Sequence, residues 1–378
     1  MSAAQTAGLP RMMLEPGEKR VFPPGFVRTL TRLGLAVKLE EGYGGRAGLS
    51  LSDYRRGTEA VRTCSRVEAL RQDLVFLLRA PRLEDVDLLG PDSCLISMLH
   101  FPTRPRRVQI LRERGLRAIS LDSIENDAGV RLVENMKAVA WNGMDVAFAA
   151  LREDRDDRFA AGAEPVRVLV LGTGLIGRHA ADAATKLGNV ARNRAYMDAG
   201  GAGVIVHCAG RNLTANEAAM RELFERTDIL VDATQRSDPS RPVVPNDWLG
   251  WLPRHAVIAD LAVDPYTLDT VPPVVRGIEG IPQGNLDEYL FRPDDADWML
   301  TIPAAVPSRH RRTVVSCYSW PGIHAVECME HYARQLAPLL EPLVRKGYDD
   351  LSPDGEFFER ALYRASLRGW IAAAGDPG

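Results

Sequence analysis

The sequence of 378 residues lacks what a membrane, a nucleic acid or an oxidising compartment would demand. No apolar run reaches the roughly 18 residues that a membrane-spanning helix needs. Lysine and arginine total 47 against 50 acidic residues, a formal net charge of −3, which gives no general pull toward nucleic acid or anionic lipid. The five cysteines (Cys64, Cys94, Cys208, Cys317 and Cys328) are scattered, odd in number and never spaced C-x-x-C. They read as free thiols of a reducing cytoplasm, with neither a disulfide framework nor a metal site. The opening MSAAQTAGLPR lacks the basic-then-apolar layout of a secretory leader. No internal repeat is visible. What remains, 46% hydrophobic and 26% charged residues, is enough for two ordinary globular cores.

Against these absences one stretch stands out, Val166 to Gly188, VRVLVLGTGLIGRHAADAATKLG. Val166 to Leu171 is an apolar, β-branched run suited to a strand buried on both faces. It leads directly into Gly172, Gly174 and Gly177, spaced G-x-G-x-x-G, and then into a helical pattern. In that setting the first glycine allows a tight turn, the second a close approach of pyrophosphate, and the third close helix–strand packing. The turn, Gly172 to Gly177 with Thr173, Leu175 and Ile176, reads as a dinucleotide cradle with NAD or NADP as the expected cofactor; the alternative is a merely tight structural turn. The usual acid about 20 residues further on is missing. Asn189 to Gly201 delays the next strand, Gly203 to His207, which runs into Cys208, Ala209, Gly210 and Arg211. Arg211 is placed to meet a 2′-phosphate; the alternative is a solvated loop arginine.

Strands are expected at Arg11–Leu14, Leu35–Leu39, Leu74–Leu78, Cys94–Leu99 and Leu116–Leu121, alternating with helices. That alternation implies parallel βαβ units. Leu132–Arg152 reads as a long helix crossing into a second domain. This domain holds the glycine turn, with later strands at Ile229–Ala233, Ala256–Ala262 and Val314–Cys317. Gly322–Lys346 reads as a returning helix. The expected fold is α/β with two doubly wound, Rossmann-like domains and the active site in the cleft between them. Residues 1–131 and 323–378 would form the substrate domain, and residues 132–322 the dinucleotide domain.

Ligands of parallel sheets bind beyond the carboxyl ends of strands. Applied here, the rule selects Arg20, Arg79, His100 and Asp122 from the first domain, and Asp264 and Thr234 from the second. Arginine suits bidentate capture of a carboxylate, and histidine titrates near neutrality. Arg20, Arg79 and Arg104 are candidates for substrate binding; His100, Arg79 and Asp122 are candidates for catalysis. Arg211, Thr234, Asp264 and Arg131 join the glycine turn as cofactor candidates. The remaining arginines between Arg104 and Arg117 read as a solvated helix face, and Trp248, Trp251, Trp298 and Trp320 as packing residues.

The order of these motifs resembles the alanine dehydrogenase and lysine-forming saccharopine dehydrogenase superfamily, over nearly the whole chain. E-K-R-V-x-P-P, Glu18 to Pro24, is similar to the family's opening E-x-R-V-x-L-T-P, L-L-R-A-P sits where the family has its lysine, and M-L-H matches its histidine. A-D-L-A-V-D, Ala259 to Asp264, is similar to V-D-V-A-I-D, whose last aspartate lies beside the nicotinamide. E-N-D-A-G-V-R, Glu125 to Arg131, looks like the saccharopine branch's E-N-D-x-G-x-R, and Pro321, Glu327, Glu330 and Pro338 keep another spacing of that branch. Two positions depart. Arg79 replaces the branch's catalytic lysine and is never deprotonated, and Ser319-Trp320 replaces an aspartate–histidine pair.

The resemblance implies an NAD(P)-dependent oxidoreductase acting on the C–N bond of an amino acid or opine-like secondary amine. Its partners would be an amino acid or oxo acid, without nucleic acid or membrane, in a possible homo-oligomer. A cyclodeaminase-like enzyme that takes and returns hydride, and a catalytically inactive NAD(P)-binding protein, stay open as alternatives.

Overall fold

The computed structural model describes residues 4–12 and 15–374. The chain divides into two compact units. One contains the N-terminal strand, Glu18–Asn135 and the chain from His324 onward; the other contains Met136–Ile323 with Glu15–Gly17.

The first unit opens with β1 (Thr6–Leu9), α1 (Pro24–Arg32), β2 (Ala36–Glu40), α2 (Leu51–Arg55) and β3 (Val61–Cys64). It continues with α3 (Arg66–Leu70), β4 (Leu74–Arg79), α4 (Leu83–Val86), β5 (Cys94–Met98), α5 (Pro105–Glu113) and β6 (Arg117–Ser120). The strands form one parallel sheet in the order β3-β2-β1-β4-β5-β6. The first three strands step one way from β1 and the last three step the other way from β4, so the carboxyl ends of β1 and β4 flank a topological switch point. The strand expected at Arg11–Leu14 is displaced. Arg11 and Met12 are irregular, Met13 and Leu14 lie outside the described residues, and Thr6–Leu9 fills the central position instead. Gly8 explains why: a side chain there would fall on the Ala69 carbonyl, so the tightly covered strand is made of small residues. A sixth strand, β3, goes beyond the five expected; it is an edge strand with only its two end residues buried.

In the second unit come α6 (Met136–Asp154), β7 (Val166–Leu171), α7 (Leu175–Ala184), α8 (Val190–Asp198), β8 (Val204–Ala209), α9 (Arg211–Thr214) and α10 (Glu217–Phe224). Then follow β9 (Ile229–Asp232), β10 (Val257–Asp260), β11 (Leu290–Phe291) and β12 (Thr313–Ser316). The sheet order is β11-β12-β10-β9-β7-β8, parallel except for the short β11 at its edge. Here the direction reverses between β7 and β9. α6 begins at Met136, four residues later than expected at Leu132, and belongs to this unit alone. The stretch that delays β8 is itself a helix, α8, whose Asn189 side chain accepts from the backbone of Ala191 and Arg192.

α11 (Ala325–Lys346), α12 (Phe357–Ala365) and α13 (Leu367–Ala374) return to the first unit. Cys328, Tyr332, Leu336, Leu339 and Leu343 of α11 enter that unit's core beside Phe22, Phe26 and Leu30. All five cysteines are free thiols, and only Cys208 is exposed. Among the described residues no helix is long and apolar enough to cross a membrane.

Candidate active site

In the first unit the chain leaving β1 carries Glu18 and Arg20, both buried, at 2% and 3% exposure. Arg20 donates from Nε to Glu18 Oε1 at 2.8 Å and from Nη2 to Oε2 at 2.5 Å, and its backbone N–H adds a third bond at 2.9 Å. Burial alone would raise the Glu18 carboxyl pKa; the hydrogen bonds and charge of Arg20, helped by Arg79, reverse this and hold it below its ordinary value. Arg20 is thus half of a buried ion pair, and Glu18 is a site residue that the strand-end rule does not select. The signal it offers in the sequence is its place two residues ahead of Arg20. Cys328 of α11 is also here: burial pushes its thiol up to about 11, while Arg20 and Asn135 pull it back.

Arg79 closes β4. Its pairing with β5 slips, from Phe76 opposite Ile96 to Arg79 opposite Met98, so one extra residue is fitted into β4. Such a bulge turns the terminal side chain away from the regular pleat. His100 follows β5 in a left-handed conformation, φ 54°. That geometry lets it meet Asp122, which follows β6, with both ring and backbone. Nδ1 lies 2.9 Å from Asp122 Oδ2, and the backbone N–H donates to Oδ1 at 3.1 Å. The Ser120 hydroxyl donates to the same Oδ1 at 2.9 Å. Burial would raise the Asp122 carboxyl, but His100, with help from Ser120, holds it down at about 2. The carboxylate on Nδ1 fixes the ring orientation and favours a proton on that nitrogen, so Nε2 is the ring nitrogen turned away from Asp122 on a side chain that is 51% exposed.

Arg107 of α5 departs from the solvated helix face expected of its neighbours: it is half-buried and anchored by a 2.8 Å bond to the Leu99 carbonyl. Burial lowers its pKa, as do the charges of Arg104 and Arg79, while Asp122 raises it. Arg79, Arg104, Arg107 and Asp122 therefore share one electrostatic neighbourhood. Arg104 itself is exposed and donates to the Thr103 carbonyl. Arg131 is exposed on a tight loop in the first unit, where its backbone forms an isolated antiparallel β-bridge with Glu125 and the Asn126 side chain accepts from the backbone of Ala128 and Val130.

In the second unit the three glycines have distinct surroundings. Gly172 has φ 98°, and a side chain there would meet Ala233 O at 2.5 Å. A side chain on Gly177 would fall on the Gly172 carbonyl. A side chain placed on Gly174, which precedes the first turn of α7, would meet no protein atom within 4 Å beyond its chain neighbours. The turn and the packing are thus met by the fold, and the open place beside the helix start is left for an external group, which is what a pyrophosphate requires. The turn opens on a cavity of about 410 Å³, walled by Ala209, Arg211 and Thr214 on one side and by Thr234 to Asp238, Arg241 and Val243 on the other.

Beneath this cavity the last residues of three adjacent strands stand in register, Asp232, Asp260 and Ser316. Arg276, 1% exposed, donates to the Asp260 carboxylate and to Ser316 Oγ at 3.0 Å. Burial lowers the Arg276 pKa to about 9 and raises that of Asp232, whose field in turn supports Arg276. Thr234 is oriented by Asp232, which accepts from its backbone N–H at 3.0 Å and from its hydroxyl at 2.7 Å. Asp264 pairs with Arg236 at 2.8 Å. Among the described residues no cluster of histidine, cysteine or carboxylate side chains has the arrangement of a metal site.

Two doubly wound units, one with a glycine-rich strand–helix turn and one with a histidine–carboxylate pair at its strand ends, define a two-unit α/β architecture. The profile of the family "Alanine dehydrogenase/PNT, N-terminal domain" matches residues 8–140, the segment holding Arg20, Arg79, His100 and Asp122. The chain is 24% identical to the NAD(P) transhydrogenase subunit alpha of Haemophilus influenzae over 191 residues, 49% of this chain and 37% of that protein. It is 20% identical to the alanine dehydrogenase of Methanococcus maripaludis over 274 residues, 68% of this chain and 72% of that one. It therefore spans little more than a third of the transhydrogenase subunit. A solved L-alanine dehydrogenase shares the fold, with a TM-score of 0.69 at 21% identity, covering 96% of this chain and 94% of that one.

Proposed function

We propose that the chain is an NAD(P)-dependent oxidoreductase acting on the C–N bond of an amino acid or an opine-like secondary amine. The observation that carries the reading is the His100–Asp122 pair, which holds a half-exposed imidazole by Nδ1 at the carboxyl edge of a sheet matched by the alanine dehydrogenase profile. The finer preference for a secondary amine rests on the Glu125–Arg131 run and on the spacing of Glu327, Glu330 and Pro338. Free thiols fit a cytoplasmic enzyme.

A dinucleotide held by its pyrophosphate at the glycine turn would supply its nicotinamide as the hydride acceptor. The net reaction oxidises the amine and adds water, giving an oxo acid, a free amine, reduced cofactor and a proton. His100 Nε2 takes the proton from the substrate nitrogen or from the attacking water, and Asp122 stabilises the imidazolium that results. Arg79 holds a substrate carboxylate and never serves as base, because its guanidinium keeps its proton. Arg20, braced by Glu18, gives the site a second fixed guanidinium, and Arg104 a third at the rim.

The test is a screen of amino acids and amine–oxo acid pairs with both cofactors, following nicotinamide absorbance and substrate loss together. Reduced cofactor forming in step with amine loss is the expected result. Amine loss without net reduction would favour the cyclodeaminase-like alternative. Binding of cofactor with no turnover of any pair would favour the inactive one.

A further inference from the structure

We infer that the second unit selects the 2′-phosphorylated dinucleotide. This rests on the dinucleotide reading above and deepens it. A ribose 2′-hydroxyl is usually held by a carboxylate at the end of the strand beside the glycine turn. Strand register fixes where that carboxylate would stand. Leu169, Val170 and Leu171 of β7 pair with His207, Cys208 and Ala209 of β8, so Ala209 lies next to the last residue before the turn. Ala209 is buried and Gly210 follows it, so no acceptor stands there.

Asp238, across the cavity, is the one carboxylate among the lining residues. It is already engaged. Its Oδ1 accepts from the Ser240 backbone N–H at 3.0 Å and from the Ser240 hydroxyl at 2.5 Å. The other polar side chains facing the cavity are mainly donors. Arg211 comes from the β8 side, and Ser237 and Arg241 from the β9 side; the Thr214 hydroxyl is committed to the Arg211 carbonyl at 3.0 Å. Arg211 is exposed and forms no ion pair among the described residues. Arg241 is 85% exposed, and its approach to Asp238 is too long and too solvated to hold it.

Arg236 behaves differently and shows how the far wall is built. Its side chain is 7% exposed and is bonded to Asp264, to the carbonyls of Pro239 and Arg241 at 3.2 and 2.9 Å, and to the Val275 carbonyl. Arg236 thus pins the loop that presents Ser237 and Arg241, and Asp264 anchors Arg236. Asp264 acts here as a positioning residue for the phosphate wall. Two guanidiniums and the Ser237 hydroxyl around one opening match a phosphate dianion, which only accepts, better than a ribose hydroxyl seeking a carboxylate.

The experiment titrates the full chain with NADPH and NADH by fluorescence, in wild type, Arg211→Ala and Arg241→Ala. Both arginines are exposed, so the fold is not at stake. Removing either guanidinium should weaken NADPH roughly tenfold or more and leave NADH unchanged. 2′-AMP should compete with NADPH better than 5′-AMP does, with an advantage that shrinks as salt rises. Equal affinity for the two cofactors in wild type, NADH preference, or equal losses for both in the variants would overturn the inference while the dinucleotide reading stands. Binding of neither cofactor would overturn both.

Discussion

The two units bring different electrostatics to the ends of similar sheets. In the first, the candidate groups are already paired: Glu18 with Arg20, and Asp122 with His100. In the second, the cradle is open at Gly174, and the arginines facing the cavity are either structural, like Arg236, or exposed, like Arg211. A site that moves protons needs its charges positioned and its pKa values set before substrate arrives. A site that only holds an anion gains by keeping donors available until the ligand brings the charge. On the proposed function, the difference divides labour between chemistry in one unit and binding in the other.

The sharpest way to break the comparison is Glu18→Ala, which leaves Arg20 buried without its counter-charge. Removing one partner of a buried pair costs about 3–5 kcal/mol, so chemical denaturation should show a large loss confined to the first unit. Asp122→Asn should leave the chain folded, at a loss on the order of 2 kcal/mol, and should lose the fixed tautomer of His100. Turnover should fall by about two to four orders of magnitude, the range of general base catalysis, with cofactor Kd unchanged. A fall in cofactor affinity instead would place Asp122 outside the proton-handling machinery.

The glycine turn offers a comparison within one loop. Gly177→Ala drives a methyl group onto the Gly172 carbonyl and should cost about 1–3 kcal/mol by overpacking, together with dinucleotide binding. Gly174→Ala meets no protein atom. It should leave the melting temperature unchanged and weaken only the dinucleotide, and a matching loss of stability would show the open place to be structural. The smallest effect is acid sensitivity. The Asp122 carboxyl is depressed to about 2 by His100, against an unfolded value of about 3.9. A depressed carboxyl contributes stability that is full above the unfolded pKa and disappears as pH falls through the folded one. On the order of 2 kcal/mol should therefore be lost between about pH 4 and pH 2, and Asp122→Asn should abolish that share.

What is local or periodic is legible in the sequence. β4, β5, β7 and β9 are buried apolar runs, and the glycine turn carries its own geometry in its spacing. β1 escapes such a reading because close helix packing selects small residues over apolar bulk, and β3 because an edge strand buries little. His100 and Asp122 are legible from the strand-end rule, which needs only strand positions. Arg236 is not: its partners Asp264 and Val275 lie 28 and 39 residues away, and no local pattern announces such a pairing. Glu18 is hidden differently, since an acid near an arginine in a loop looks like solvated surface until both prove to be buried.

The central claim is that hydride leaves a substrate carbon bonded to nitrogen and ends on the cofactor. It is tested most directly with an amine substrate from the screen, deuterated at that carbon, and mass analysis of the nicotinamide product. The account predicts deuterium in the reduced cofactor, with transfer slowed strongly in His100→Gln. Amine consumed with deuterium retained in the organic product, and no labelled reduced cofactor, would contradict it.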